Sequence, residues 1–294
     1  MVANRDDSGS YVTQEEGLGM YALVQTRETA LWFSSYALPN RPSATPVRHH
    51  AKGTFVSSTD TARRYGNALL DRLSANEYER LAGELEPVTL DVRTVLFQPD
   101  ELITDVYFPT SGMVSLAVIM EDGTATEVAT IGKEGMVGTA VFLGSESMPV
   151  QAICQVAGEA VRMGSAALRK EAKRDGGLRD ALERYTQALF AQIAQASVCN
   201  RLHPIEARMA RWLVMTHDRV DVDEFALTQE FLAEMLGVRR ATVTVTAGAL
   251  QKAGYIQYSR GRIRIVDRAG LEAATCECYA VIKQEYDRLL GKVD

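Results

Sequence analysis

The chain has 294 residues, which is enough for about two domains of ordinary size. Its composition is ordinary for a soluble globular protein, and its net charge of −6 does not by itself suggest a nucleic-acid partner. The sequence has no secretory signal pattern and no apolar run of about 18 residues, so we expect a cytoplasmic protein without a membrane partner.

The N-terminal part predicts an extension followed by a short helix. Residues 1–65 are rich in Ser, Thr, Pro and Gly and show no sustained periodicity, which predicts a flexible segment. A helical spacing of apolar residues then runs from Ala68 to Leu85, and Pro87 is expected to close that helix.

Residues 66–176 predict a β-rich domain. Short apolar strands alternate with turn signals such as Pro109-Thr110-Ser111-Gly112 and Glu121-Asp122-Gly123, a spacing typical of a sandwich or barrel. A metal-dependent enzyme of the double-stranded β-helix type would need histidine and carboxylate ligands inside the barrel. Residues 88–163 contain no histidine, so neither an enzyme nor a cofactor is expected.

Residues 177–203 predict one long helix with an apolar seam. His203-Pro204 is expected to end it, because the residue before a proline avoids helical geometry. Such a seam can face the core of its own chain or a second copy in a coiled coil, and the sequence leaves both readings open. The candidate dimer seam consists of Leu178, Leu182, Tyr185, Leu189, Ile193 and Ala196.

Residues 204–294 predict a helix-turn-helix with a wing and a C-terminal helix. Thr228 has an N-cap side chain, Gly237 suits a sharp turn, and a second helix is expected from near Arg239 and Arg240 to about Ala253. In a helix-turn-helix the second helix enters the major groove of DNA through its N-terminal residues. The sequence therefore predicts double-stranded DNA as a partner.

A basic hairpin follows the second helix. Gly261 suits its turn, and alternation places Ile263 and Ile265 on one face and arginines on the other. Residues 235–268 hold seven Arg or Lys and one Asp, a net charge of +6 that is typical of a DNA-reading face. The candidate DNA contacts are Thr228, Gln229, Arg239, Arg240, Thr242, Thr244, Arg260, Arg262 and Arg264, although Thr242 and Thr244 fit an ordinary helix surface equally well.

Residues 68–290 resemble the Crp/Fnr family of bacterial transcription regulators. The resemblance is strongest in Leu227-Thr228-Gln229-Glu230-Phe231-Leu232-Ala233-Glu234-Met235-Leu236-Gly237-Val238-Arg239-Arg240, and a glycine-rich run, residues 131–138, resembles the turn of the family's sensory β-roll. The resemblance implies an α+β fold with a cupin-like β-roll of the cyclic-nucleotide-binding type, a long dimerisation helix and a C-terminal winged helix-turn-helix. It also implies a homodimer that reads a two-fold symmetric DNA site and contacts RNA polymerase.

The second helix departs from the family's DNA-reading pattern. Arg240 falls on the arginine that reads guanine, a task that suits its forked donors. The next family position, commonly glutamate, is Ala241, and the position four further on, often arginine, is Val245. We therefore expect a half-site unlike that of the cyclic-AMP receptor protein.

The sensory domain departs from the family's cyclic-nucleotide pattern. Thr139 stands where the ribose-binding glutamate follows Gly138, and no arginine lies between Gly138 and Arg162. A buried phosphate without a cationic partner is strongly disfavoured. We therefore expect that cyclic AMP does not control this chain. Its effector is unknown, with Gly135, Gly138 and Thr139 of the β-roll turn as candidate contacts.

The four cysteines suggest neither a disulfide framework nor a metal site. Residues 1–153 contain none, so the N-terminal cysteine cluster of the family's iron–sulphur members is missing. Cys154, Cys199, Cys276 and Cys278 are scattered, without a zinc spacing. The last three are candidate thiol switches or simply buried apolar side chains. A protein-interaction module whose helix-turn-helix no longer binds DNA is the alternative to a regulator.

Overall fold

The computed structural model describes residues 65–220 and 222–291, so the predicted extension lies almost entirely outside the described residues. The first part of the chain contains the helices α1 (Ala75–Leu81), α2 (Thr139–Phe142) and α3 (Ser165–Ala172), after a 3-10 turn at Leu70–Arg72. Its strands are β1 (Glu86–Leu90), β2 (Val95–Phe97), β3 (Asp105–Pro109), β4 (Met113–Ile119), β5 (Ala125–Ile131), β6 (Gln151–Val156) and β7 (Gly158–Gly164).

The seven strands form two antiparallel sheets, which gives the β-roll that the sequence predicts. One has the order β1-β7-β3 and the other β2-β6-β4-β5. Side chains such as Phe108, Leu116 and Met163 fill the space between them. The helix expected up to Leu85 ends at Leu81, and Pro87 lies in β1 instead of closing a helix. Because β1 pairs on one side only, it tolerates a residue without an N–H donor.

A long helix, α4 (Gly177–Leu202), covers the β-roll. Five of the six candidate seam residues are at most 6% exposed within the single chain, and Ile193 packs against the same core. The Tyr185 hydroxyl donates a hydrogen bond to the Met136 carbonyl oxygen at 3.1 Å. The assignment of these six residues to a dimer seam is therefore wrong, because the open side of the β-roll already occupies the apolar face of α4.

The C-terminal part begins with α5 (Ile205–Val220) and contains the elements of the predicted winged helix-turn-helix. These are β8 (Glu224–Ala226), α6 (Gln229–Leu236), α7 (Arg240–Lys252), β9 (Ile256–Ser259), β10 (Arg262–Ile265) and α8 (Arg268–Ala273). The last helix, α9 (Cys278–Leu290), packs along α4, where the Tyr286 hydroxyl donates to Gln192 Oε1 at 2.9 Å.

A second apolar core holds the C-terminal part together. Trp212, Leu232, Val243 and Ile263 belong to it, and so does Met113 of the β-roll. The two parts therefore share buried surface. Among the helices that the structure describes, none combines the length and the apolar character that a bilayer-spanning helix requires.

Candidate nucleic-acid interface

The helix-turn-helix has the caps that its sequence predicts. The Thr228 hydroxyl accepts a hydrogen bond from the Phe231 N–H at 3.2 Å and so caps α6. Gly237 ends α6 with a φ of 63°, a left-handed conformation that glycine adopts without strain. Arg240 begins α7 three residues later, so the turn between the two helices is as tight as the motif requires.

One face of α7 is buried and the other is exposed. Val243, Ala247 and Leu250 pack into the second core, and Arg239 precedes the helix without using its side chain as a cap. The exposed side chains near the N-terminal end of α7 belong to Arg240, Ala241, Thr244 and Val245. This part of the helix is therefore free to meet a groove of DNA.

The charged and polar groups on this face are held by their neighbours in α6. Arg240 Nη1 lies 2.8 Å from Glu230 Oε1, and the two side chains are 64% and 56% exposed. An exposed ion pair of this kind contributes about 0–1 kcal/mol, so the guanidinium can exchange its partner at small cost. The Thr244 hydroxyl donates to Gln229 Oε1 at 2.9 Å, which brings two predicted contact residues together.

The exposure of Val245 and the position of Thr242 on α7 differ from what the sequence led us to expect. Val245 is 73% exposed one helical turn after Ala241, although valine is usually buried. Sequence reasoning noted Val245 only as a missing arginine, yet an exposed apolar side chain here suits contact with a thymine methyl group. Thr242 is partly buried and lines a surface depression together with Val245, Ile205 and Glu206, whereas Thr244 does not line this depression.

The wing presents exposed arginines from a hairpin of β9 and β10. Its turn has Arg260 at φ 52° and Gly261 at φ 74°, which confirms the predicted reversal. The burial pattern of β10 alternates as expected, with Arg262 and Arg264 exposed. Arg262 pairs with Glu224 on β8 at 2.5 Å, and its hydrogen bond lowers the pKa of that carboxyl group. Arg260 and Arg264 have no ion-pair partner in residues 65–220 and 222–291.

A partly buried carboxyl group joins the β-roll to the C-terminal part. Glu127 of β5 accepts hydrogen bonds from Trp212 Nε1 at 2.9 Å and from the Ser115 hydroxyl at 2.6 Å. Burial raises the pKa of Glu127 to about 7, against the opposing effects of these bonds and of the charges of Arg211 and Arg219. The same burial favours the protonated form of this carboxyl group.

The candidate effector turn is packed and not open. A Cβ added to Gly135 would lie 2.4 Å from the Tyr185 ring, and Gly138 has a φ of 97° where the turn enters α2. The Thr139 hydroxyl donates to the Met136 carbonyl oxygen at 3.3 Å and is only 6% exposed. Tyr185 of α4 fills the space above Gly135, and Val106 and Ile103 lie against Gly138.

The structure contradicts the expectation that the cysteines are scattered. Cys199, His203, Cys276 and Cys278 place their ligand atoms within 4.8 Å of one another, whereas Cys154 lies apart in β6. The sequence offered two signals, a Cys-x₃-His at the end of a predicted helix and a Cys-x-Cys. Cys199 and Cys276 are 77 residues apart in the sequence, so the spacing of neighbouring residues could not predict that they meet.

Two family models match the chain, one on each side of α4. The cyclic nucleotide-binding domain matches residues 87–175, and the Crp-like helix-turn-helix domain matches residues 207–274. No curated protein matches.

Solved structures share the fold. FixK2 from Bradyrhizobium japonicum is 17% identical with a TM-score of 0.57, over 65% of this chain and 98% of its own. The c-di-GMP responsive global regulator CLP of Xanthomonas campestris is 16% identical with a TM-score of 0.53, over 65% and 99%. TTHA1359, a CRP/FNR family transcriptional regulator from Thermus thermophilus, is 21% identical with a TM-score of 0.53, over 64% and 97%.

A β-roll of the cyclic-nucleotide-binding type, a long helix and a Crp-like helix-turn-helix with an exposed recognition face define a DNA-binding transcription regulator. The chain belongs to the Crp/Fnr family of these regulators.

Proposed function

We propose that this regulator is a homodimer that reads a two-fold symmetric DNA site and does not depend on cyclic AMP. The observation that carries the proposal is the exposed face of α7, with Arg240, Thr244 and Val245 beside a basic wing. On this proposal the protein regulates transcription and does not catalyse a reaction. It acts in the cytoplasm and contacts RNA polymerase, as the family resemblance implies.

An exposed apolar row on α4 is our candidate for the dimer surface. Phe190, Val198 and Leu202 are 72%, 47% and 68% exposed, and the exposed Ala194 lies between them. Their spacing of four residues forms a ridge of the kind that packs into the groove of another helix. A second copy of α4 packed on this row would remove its side chains from water. The six residues first assigned to a seam are already buried or partly buried in their own chain and are not available to a second copy.

The dimer surface is tested with two charge-introducing variants. Phe190→Asp should shift the full-length protein from dimer to monomer in sedimentation velocity, because a carboxylate would face an apolar partner surface. Arg184→Asp, on another exposed side of α4, should remain dimeric. Equal dimerisation of both variants would place the interface elsewhere.

Base reading is tested by separating specific from general contacts. The purified protein first selects bound fragments from genomic DNA, and a motif with two half-sites is expected. On that motif Arg240→Ala should cost about 1–3 kcal/mol and relax discrimination at one base pair, whereas Arg260→Ala should weaken binding to all sequences about equally. Unchanged affinity and discrimination in Arg240→Ala would refute the assigned role of this residue.

The packing of the β-roll supports independence from cyclic AMP. The segment from Met148 to Ala152, where family members place a phosphate-binding arginine, has no cationic side chain. Its Gln151 amide instead donates to Gln98 at 2.8 Å, and Val150 is buried. Titration calorimetry should show no saturable heat with cyclic AMP. Saturable binding together with increased DNA affinity would overturn this part of the proposal.

A further inference from the structure

Four side chains with metal-binding atoms meet where α4 joins the DNA-binding domain. Cys199 lies near the end of α4 and His203 follows that helix. Cys278 begins α9, and Cys276 lies two residues before it. The Sγ atoms of Cys199 and Cys276 are 3.5 Å apart, and Cys278 Sγ is 3.3 Å from His203 Nδ1. All four ligand atoms lie within 4.8 Å of one another.

These distances fit a tetrahedral metal site. Bonds of about 2.3 Å to sulfur and about 2.0–2.1 Å to nitrogen imply separations of roughly 3.5–3.8 Å between the ligand atoms of a zinc ion with three sulfur ligands and one nitrogen ligand. The 3.5 Å between the Cys199 and Cys276 sulfurs lies in this range, and ligand atoms as far apart as 4.8 Å would need to approach by about 1 Å. The three cysteines are 0%, 9% and 0% exposed. Four protein ligands leave no position for water or substrate, so the site is of the closed, structural type.

Groups around the cluster favour ligation. His203 Nε2 lies 3.2 Å from Glu277 Oε1, an arrangement that leaves Nδ1 directed at the cysteines. A carboxylate bound to the far nitrogen of a histidine orients the ring and raises its basicity towards a metal. Burial raises the pKa of the Cys278 thiol, and the Gln195 amide, which donates to Cys278 Sγ at 3.2 Å, opposes this effect.

The charges nearby match a cluster of thiolates. Burial opposes ionisation of Cys199, yet the pKa of its thiol is lowered, chiefly by the charge of Arg211. Nε of Arg208 and Nε of Arg211 are buried without a hydrogen-bond acceptor among the described residues. Three thiolates and a divalent cation carry a net charge of −1, which these guanidinium groups would offset. Without a cation, burial raises the pKa of Cys276 to about 12.

We propose that Cys199, His203, Cys276 and Cys278 bind one Zn²⁺ ion per chain. The ion would link the end of α4 to the start of α9. In the sequence, α5 and the helix-turn-helix lie between these two ends. Soft thiolate ligands with one imidazole in tetrahedral geometry favour zinc over magnesium, calcium or manganese. Binding would release the thiol protons, so affinity should fall as pH decreases.

The test uses the full-length protein, purified under reducing conditions. Elemental analysis after dialysis should find one zinc per chain, and replacement by Co²⁺ should give the visible absorption of a tetrahedral thiolate site. Cys276→Ser and Cys278→Ser should lose this spectrum. Cys154→Ala, which removes the one cysteine outside the cluster, should keep both the stoichiometry and the spectrum.

Glu277→Gln distinguishes a metal site from a packing cluster in a variant with all four ligands intact. It should weaken Co²⁺ binding about tenfold, since outer carboxylates typically contribute 10–100-fold. Wild-type protein that takes up neither metal would overturn the proposal, whether or not the serine variants fold. An unchanged cobalt spectrum in the serine variants would overturn it too, as would a Cys199–Cys276 disulfide in place of metal.

Discussion

The partly buried carboxyl group of Glu127 should make the stability of this protein fall as pH rises towards neutrality. Its side chain accepts hydrogen bonds from Trp212 and Ser115 where the β-roll meets α5. Glu127→Gln keeps an acceptor and a donor of the same size at this position but carries no charge at any pH. The variant therefore isolates the cost of ionising this carboxyl group.

The sign and size of the effect follow from the pKa. Burial raises the pKa of Glu127 from its ordinary value of 4.5 to about 7, so the folded state holds its proton more tightly than the unfolded state. This contribution is fully present below pH 4.5, is lost between about pH 4.5 and 7, and stays lost above that. At about 1.4 kcal/mol per pH unit, the whole interval corresponds to at most about 3 kcal/mol.

Urea unfolding at pH 5, 6, 7 and 8 measures the effect. The free energy of unfolding of Glu127→Gln should exceed that of the wild type by an amount that increases from pH 5 to pH 8. Glu121→Gln, at an exposed carboxylate in the turn of the same hairpin, should follow the wild type.

The opposite trend would refute this reasoning. If the charges of Arg211 and Arg219 outweighed burial, the ionised carboxylate would stabilise the fold. Glu127→Gln would then lose stability relative to the wild type as pH rises. Parallel curves would mean that water reaches the carboxyl group.

Two further predictions concern the packing of the β-roll turn and the cap of the helix-turn-helix. Gly135→Ala would place a Cβ 2.4 Å from the ring of Tyr185 and should cost about 1–3 kcal/mol in the free energy of unfolding. Gly83→Ala, with no atom within 4 Å of its Cβ, should be nearly neutral in the same urea experiment; equal effects would show that Tyr185 moves aside. Thr228→Ala removes the acceptor for the Phe231 N–H and should cost about 1 kcal/mol in the same assay. No loss of stability would mean that water replaces the cap.

The sequence by itself determined the local elements. Periodicity and the proline after His203 predicted α4, and Thr228 and Gly237 predicted the caps of α6, because each signal acts within a few residues. Gly261 predicted the wing turn for the same reason. The candidate DNA-reading face of α7 could be predicted because its alternation of buried and exposed residues repeats along one helix.

Only the tertiary structure decided which surfaces and side chains meet. Periodicity shows that α4 has an apolar face, but not that the β-roll covers Tyr185 and leaves Phe190 exposed. The hydrogen bond from Trp212 to Glu127 joins residues 85 positions apart, and the contact of Cys199 with Cys276 joins residues 77 positions apart. Neither contact can be predicted from the local sequence pattern. Such contacts depend on how whole helices and strands pack together, and the sequence next to either partner does not determine this packing.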